Sequence, residues 1–540
     1  MMNSQGHRLR YRAVLSYSAL IIRHSTLYSA LIIRHSALYS ALIILHSAFL
    51  SAQTASPYVP VSHWSTPYVE HFISAGKMPD PSPLTRPFKA DDLLRALEAI
   101  DSTTVSGGEW SVVRALRREL TRHERGAWGR VEGMVGVAAG NYAVRDPLEI
   151  GRGAPALDTN GTRRGYGSGG IELTLGFGPI VAVTNPMFDT RLKYDPDWYG
   201  KKDRAVAGGT RTSYISVQGS FAELFFGRLD RNWGPSVVPG LTLSPNPYSL
   251  DHLGLSIGTT GVQLQGIIAQ LDTRNDTSGA AVRRYLVEHR LWVRPPGSWT
   301  FSLWEAAAIS GADRNLELWY LNLLNLAFLE QLNTGTNANS LIGFDFERRG
   351  AVTLYAQAML DDIQVDKKTL TDQKPTSWGL TLGAKGALPA SGAWTLYYTQ
   401  VSNLAYRNED DFQVPLFHGL GVGRNFSDYD QVTARIDFIG PGGVLIAPEA
   451  TLVRQGEGDP RLAHPLPADY PSTAALFQGV VQRTVRLALS VHGGRSSVRF
   501  NGDAGVHLVS NDGHVAGVSR TRFVGRLGLE LRFGRESLLP

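Results

Sequence analysis

The chain changes its hydrophobic period. From Tyr58 to about Trp128 apolar residues recur at helical spacing, and from Gly129 onward they mostly alternate with polar ones. In the first region Ser65-Thr66-Pro67 opens YVEHFISAG, which ends at Gly76 as a helix C-terminus does. TRPFKADDLLRALEAID follows, with Leu93, Leu94, Leu97 and Ile100 on one face. EWSVVRALRRELTRHE then places Trp110, Val113, Leu116 and Leu120 at the same spacing. Three short amphipathic helices are predicted, enough for a small cap.

The second region reads as strands. In YISVQGSF, Ile215, Val217 and Phe221 alternate with Tyr214, Ser216, Gln218 and Ser220. In RRYLVEHRLWVR, Tyr285, Val287, Leu291 and Val293 alternate with Arg284, Glu288, Arg290 and Arg294. In QVTARIDFI, Val432, Ala434, Ile436 and Phe438 alternate with Thr433, Arg435 and Asp437. The last strand sets Phe523, Leu527, Leu529, Leu531 and Phe533 against Arg522, Arg526, Glu530 and Arg532. A soluble β-sandwich alternates too. Strands of about ten residues, repeated between Gly/Pro/Asn turns and ending in an amphipathic LGLELRF, predict instead an outer-membrane antiparallel barrel of about 16–18 strands. Closure also removes the sheet edges that so many strands would otherwise expose.

Composition narrows the class. The 540 residues are 43% hydrophobic and 19% charged, with 57 glycines and 28 prolines, so the chain is neither disordered nor a helical membrane bundle. Cysteine is absent, which excludes a disulfide scaffold or a thiolate metal site and suits a bacterial envelope protein. A net charge of +5, with no run of basic residues, argues against nucleic-acid binding. At the N-terminus YSALIIRHSTL, YSALIIRHSAL and YSALIILHSAF form an eleven-residue tandem repeat from Tyr17. The apolar run Ala37–Leu50 follows several arginines and precedes SAQ, so residues 1–52 read as an export signal with Ala52 as a cleavage position. A membrane anchor is the alternative, although the run is short for a spanning helix. The division expected is 1–52 targeting, 53–128 periplasmic helices and 129–540 transmembrane barrel.

Alternation assigns Arg228, Arg284, Glu288, Arg290, Asp345, Glu347, Arg435, Asp437, Arg522, Arg526, Glu530 and Arg532 to the lumen. Arginine supplies 44 of the 53 basic residues, so Arg–carboxylate forks are expected to brace and fill the interior, or to bind carboxylates and hydroxyls. Nucleophile-elbow, zincin and P-loop motifs are missing, and the 14 histidines are scattered, so no enzyme, cofactor or metal is expected. Gly165–Gly170 reads as a turn before a strand, and Asp361-Asp362 as a solvated turn. LELWYLNLLNLAFLEQLN, Leu316 to Asn333, breaks the strand pattern. Its rings beside Asn and Gln suit sugar recognition, and equally a helix packed into the barrel mouth.

Asp230 to Gly258 reads DRNWGPSVVPGLTLSPNPYSLDHLGLSIG, far longer than the usual connection of about 4–6 residues. With GRLD before it, this stretch resembles the central motif of the capsule assembly protein Wzi family. YVPVSHWSTPYVEHFISAGKMPDPSPLTRPFKADDLLRAL, WEAAAISGADRNLELWYLNLLNLAFLEQLN and LIGFDFERRGAVTLYAQAMLDDIQVD look like further family segments in the same order. Ser236 stands where the family commonly has Gly, and Asn246-Pro247-Tyr248-Ser249 replaces its Asn-Ala-x-Pro. The resemblance implies a barrel of about 18 strands, a periplasmic bundle and a lectin-like, non-catalytic role in holding capsular polysaccharide. Its candidate contacts are Arg228, Asp230, Arg231, Trp233, Glu305, Asp313, Arg314, Trp319, Tyr320 and Asn322. Arg228 and Asp230 are expected on the inward side. The partners expected are a surface polysaccharide, outer-membrane lipid and the barrel-assembly and export machinery, with the protein a monomer. A porin or transporter for small anionic or sugar solutes is the alternative.

Overall fold

The computed structural model describes residues 54–121, 126–141, 148, 165–195, 197–236, 238–312, 314–334, 338–363, 369–495 and 497–539. Residues 1–53, with the tandem repeat and the export segment, lie outside the described residues.

Alternation does become a closed antiparallel barrel of 18 strands. The first nine are β1 (Trp128–Gly140), β2 (Gly165–Phe177), β3 (Ile180–Asp189), β4 (Ala207–Gln218), β5 (Ala222–Arg228), β6 (Asp251–Gly258), β7 (Val262–Gln270), β8 (Ala281–Val293) and β9 (Trp299–Gly311). The rest are β10 (Ala338–Arg348), β11 (Val352–Asp362), β12 (Ser377–Leu388), β13 (Gly392–Val401), β14 (Tyr429–Ile439), β15 (Leu445–Gln455), β16 (Gln482–Arg495), β17 (Val498–Ser510) and β18 (Ser519–Leu538). Closure joins β18 to β1, from Arg526 opposite Gly140 to Leu538 opposite Trp128. Gly165–Gly170 is the first half of β2 and not a turn.

The barrel is inverted relative to a soluble core. Phe523, Leu527, Leu529, Leu531 and Phe533 point outward and are exposed, while Arg522, Arg526, Glu530 and Arg532 line the interior. That arrangement fits hydrocarbon outside and polar space inside. Near one rim Trp299, Phe301, Phe344 and Phe346 cluster on the outer face with the Arg348 guanidinium 5.2 Å above Trp299, the make-up of an interfacial aromatic girdle. This rim carries short turns such as 389–391 and 440–444. The opposite rim carries loops such as 229–250, 402–428 and 456–481.

Three helices cover the short-turn end: α1 (Thr66–Ser74), α2 (Ala90–Glu98) and α3 (Gly107–Leu120). α3 starts on a capping box between Ser106 and Glu109. Phe72, Leu93, Leu97, Val113 and Leu116 share one core with Ile439, Leu445 and Ala447 of the wall, so the helices are seated on the barrel. The Tyr68 hydroxyl donates to Gly443 O across the same contact, 3.1 Å.

Inside, filling is one-sided. Arg290 and Asp345, on β8 and β10, are both 0% exposed in an ion pair of 3.1 Å. On β14 and β18 the Arg435 and Glu530 side chains are 29% and 39% exposed. Across β14 to β17 a belt of Thr433, Thr451, Glu449, Arg486, Asp503 and Ser490 is hydrogen-bonded strand to strand. Forks of this kind brace a wall.

Candidate functional site

What fills the buried half is the long loop between β5 and β6. Residues 229–250 fold into the lumen and meet a segment climbing from the helical cap, pairing Trp233 with Thr85 and Asn232 with Arg86. The wall grips both. Gln357 of β11 accepts from Leu241 N, 2.8 Å, and donates to Trp233 O, 3.0 Å. Arg290 donates to Leu84 O and Thr85 Oγ1, and Trp292 donates to Pro83 O. Gly234 has φ of +130° and a Cβ there would lie 2.7 Å from Gln357 Nε2, so the Trp-Gly-Pro step demands glycine. The 402–428 loop closes over this plug: Ser244 N donates to Val422 O and the Tyr406 hydroxyl to Leu241 O.

Above the plug, at the long-loop end, three loops bring rings together. Trp198 and Tyr199 come from 190–206, Tyr248 from 229–250, and Phe417 and His418 from 402–428. Tyr199 lies 5.4 Å from Tyr248 edge-on and 4.3 Å from His418, stacked within 9°. Tyr199 is 45% exposed. The Tyr248 hydroxyl donates to Asp195 Oδ2, fixing one edge. Asp272 fixes the other by accepting from His418 N at 2.9 Å and from Arg284 at 3.0 Å. Arg284, fully buried, also donates to the carbonyls of Phe412, Val414 and Leu416, so one guanidinium fork sets the His418 turn. Burial, aided by Arg274 and Arg284 against the opposing Asp272, holds the His418 imidazole below its ordinary range and therefore neutral at pH 7. Exposed ring faces beside fixed carboxylates and an amphoteric imidazole are suited to stacking on sugar C–H faces and pairing with hydroxyls. Beneath Tyr248 a small recess is lined by Asp230, Arg231, Leu243, His252 and Ile267.

The residues singled out in the sequence separate into groups. Asp230, Arg231 and Trp233 do belong to the plug: Asp230 accepts from Ser249 Oγ, and Arg231 donates to His252 and lies 4.4 Å over Phe225. Arg228 does not face inward as expected. It follows Leu224 and Phe226 on the outer parity of β5, and at the rim it pairs with Asp251 and hydrogen-bonds Tyr199 of the ring cluster. The other inward assignments hold, with Arg284, Glu288, Arg290, Asp345 and Glu347 all buried. Glu305, Trp319, Tyr320 and Asn322 lie outside the barrel, neither at its mouth nor in its lumen, while Arg314 stands at the long-loop rim, where it donates to Ser310 O and pairs with Glu317. Glu305 is on the outer parity of β9, and the segment after β9 crosses the wall to reach it. Asp313 lies outside the described residues. Asp361 and Asp362 are no open turn: one accepts from Tyr406 N, the other pairs with Lys374. Trp198, Tyr199, Phe417 and His418 are not among the sequence candidates, and Tyr248 enters only within the Asn246–Ser249 bend. Their signal was present as DPDWYG, SPNPYS and LFHG, aromatics inside turn-rich stretches between strands.

A known structure shares this architecture. The chain is similar to Wzi of Escherichia coli, described as an outer-membrane protein involved in group 1 capsule assembly and a carbohydrate-binding β-barrel. The TM-score is 0.56 at 14% identity, over 87% of this chain and 97% of that one. The outer-membrane protein OprD of Pseudomonas aeruginosa aligns with a TM-score of 0.40 at 10% identity, over 76% of this chain and 94% of that one. No protein-family model matches the sequence, and no curated protein matches it. At 14% identity the likeness to Wzi establishes the fold, and that fold is an outer-membrane β-barrel.

Proposed function

We propose that the protein is a surface polysaccharide-binding barrel that helps assemble or retain a capsule or exopolysaccharide. In this reading the long loops face the exterior, the helical cap lies in the periplasm, and lipid and the barrel-assembly machinery are its other partners. The observation that carries it is the Tyr199–His418 stack, with Tyr199 exposed, beside Tyr248 and Trp198 and set over the plugged side of the lumen. A plugged barrel with a rigid aromatic platform is organised to hold a ligand at its mouth, not to pass it. The role described for Wzi supports the same ligand class. Purified protein should bind capsular polymer in a glycan-array or whole-cell assay. The double variant Tyr199→Ala, His418→Ala should lose that binding while keeping the heat-modifiable gel mobility of a folded barrel. Retention of binding by that variant would remove the platform from the site. Porin activity is the second reading, favoured by the half-exposed Arg435 and Glu530 on the unplugged side.

A further inference from the structure

We infer that residues 314–334 form a strap embedded in the hydrocarbon of the membrane, a part of the lipid-facing surface that is not itself barrel wall; this rests on reading the barrel as membrane-inserted. After β9 the chain turns back over the outside of β7, β8 and β9. Tyr320 packs there, fully buried, on Val287, Ala307, Ile309 and Ala338. Gly266 of β7 makes room, since a Cβ at that position would lie 2.2 Å from Leu323 Cδ2.

Two ionisable wall residues hold the strap. Glu305 accepts from Ala327 N at 2.9 Å and Phe328 N at 3.2 Å, the first turn of the helix Ala327–Thr334. His289 touches Glu305 through Nδ1 and Tyr320 O through Nε2, both at 2.9 Å. The Tyr320 carbonyl can only accept, so Nε2 is the donor to it, and Nδ1 faces the Glu305 carboxyl. Two groups that would be costly in lipid are thereby paired and covered. Glu305 stands six positions from Trp299 of the girdle, which at about 3.3 Å per residue and a tilt near 40° is roughly 15 Å up a band about 25 Å tall.

The strap's own chemistry suits that depth. Tyr320, Asn322, Asn325, Leu329 and Glu330 donate their N–H groups to carbonyls within the segment, and Leu324 N donates to Asn322 Oδ1. Backbone at membrane depth has to be satisfied internally, and most of this segment's is. Its outer face is mostly leucine: Leu318, Leu321, Leu324, Leu326 and Leu329 are exposed, with Asn322 among them, and they are continuous with the outward Leu291 and Leu303 of the wall. Their common occupant is the acyl chains that the wall already faces.

The chain has no cysteine, so one label can be placed anywhere. Leu324→Cys carrying a polarity-sensitive fluorophore, in phospholipid vesicles with a nitroxide in mid-acyl chain, is compared with Leu303→Cys on the wall and Ser278→Cys on a loop. The Leu324 label should be quenched by the nitroxide lipid as fully as the Leu303 label and ignore aqueous iodide, which should quench at Ser278. Gly266→Val, which fills the seat of Leu323, should move the Leu324 label toward iodide. Iodide quenching of Leu324 in the unaltered seat overturns the strap, as does shielding from both quenchers, the mark of a second protein copy. Failure of the Leu303 label to meet lipid overturns the membrane barrel itself.

Discussion

Asp428 gathers three backbone donors between two long loops. Its φ is +58°, a backbone region open to Asp and Asn at small cost. From there the carboxylate accepts from the N–H groups of Gly458, Phe477 and Gln478, while the residue's own N–H donates to Ser402 O. The 402–428 loop carrying His418 is therefore tied to the 456–481 loop through this side chain, alongside bonds from Asn403 to the carbonyls of Ala474 and Ala475, from Arg461 to Gly419 O and Asn425, and from Tyr470 to Glu409. Asp428→Ala strands three donors, each costing about 1–3 kcal/mol if it stays buried. The backbone around Gly458, Phe477 and Gln478 is expected to open to water before that cost is met, while the other bonds between the loops stay. Proteolysis near Gly458 and Gln478 should accelerate in Asp428→Ala and less in Asp428→Asn, with the barrel's heat-modifiable mobility unchanged. Equal protease resistance in all three proteins would refute the tie. Such a residue was not legible, because an Asp before a strand looks like a turn residue and its partners lie 30 or more positions away. Arg228 misled in orientation only: the alternation Leu224, Phe226, Arg228 already placed it outward, and from the rim it reaches Tyr199 of the ring cluster.

At the scale of elements, the helical cap is docked by charge as well as by its apolar core. Glu119 of α3 accepts from Trp64 Nε1 and meets His63 Nε2 at 3.0 Å, with Arg532 and Arg499 of the wall each at 3.9 Å. Burial alone would raise its pKa, but hydrogen bonds from His63 and Trp64 and the positive charge of His63 and Arg532 outweigh it, and the value falls from 4.5 to about 2. A carboxylate whose folded pKa is depressed stabilises above its unfolded pKa and loses that contribution as pH falls through the folded one. Cap docking should therefore weaken between about pH 4.5 and pH 2 by on the order of 2–3 kcal/mol. Trp64 fluorescence against pH should report the transition, and Glu119→Gln should flatten it. A transition unchanged in Glu119→Gln would assign it to another group. The helices and strands were readable because period 3.6 and period 2 are local properties. The strap was half readable: His289 interrupts the outward run Tyr285, Val287, Leu291, Val293, and an ionisable residue on a lipid face signals a cover. What the sequence did not carry is which side of the wall the cover lies on, since LELWYLNLLNLAFLEQLN is amphipathic in either place.

For the whole molecule the decisive property is the one-sided plug. The 229–250 loop, the climbing segment at 83–86 and the 402–428 loop meet in the lumen and are held by buried Arg290, Gln357 and Arg284. Each depends on the others, because Trp233 is paired to Thr85 on one side and Ser244 to Val422 on the other. Opposite them the wall of β14 to β18 keeps half-exposed charges, so the closure is a wedge against one side of a wide barrel. An intact barrel of this kind should give no steady large conductance in a planar bilayer. Replacing residues 236–249 by a short Gly-Ser linker removes the part of the wedge that bridges Gln357, Tyr406 and Val422. That variant should open a steady channel at least several-fold above the intact protein while still folding as a heat-modifiable barrel. Folded but silent behaviour would mean that the helical cap alone closes the pore. A large steady conductance in the intact protein would instead favour solute passage over retention of a polymer at the mouth.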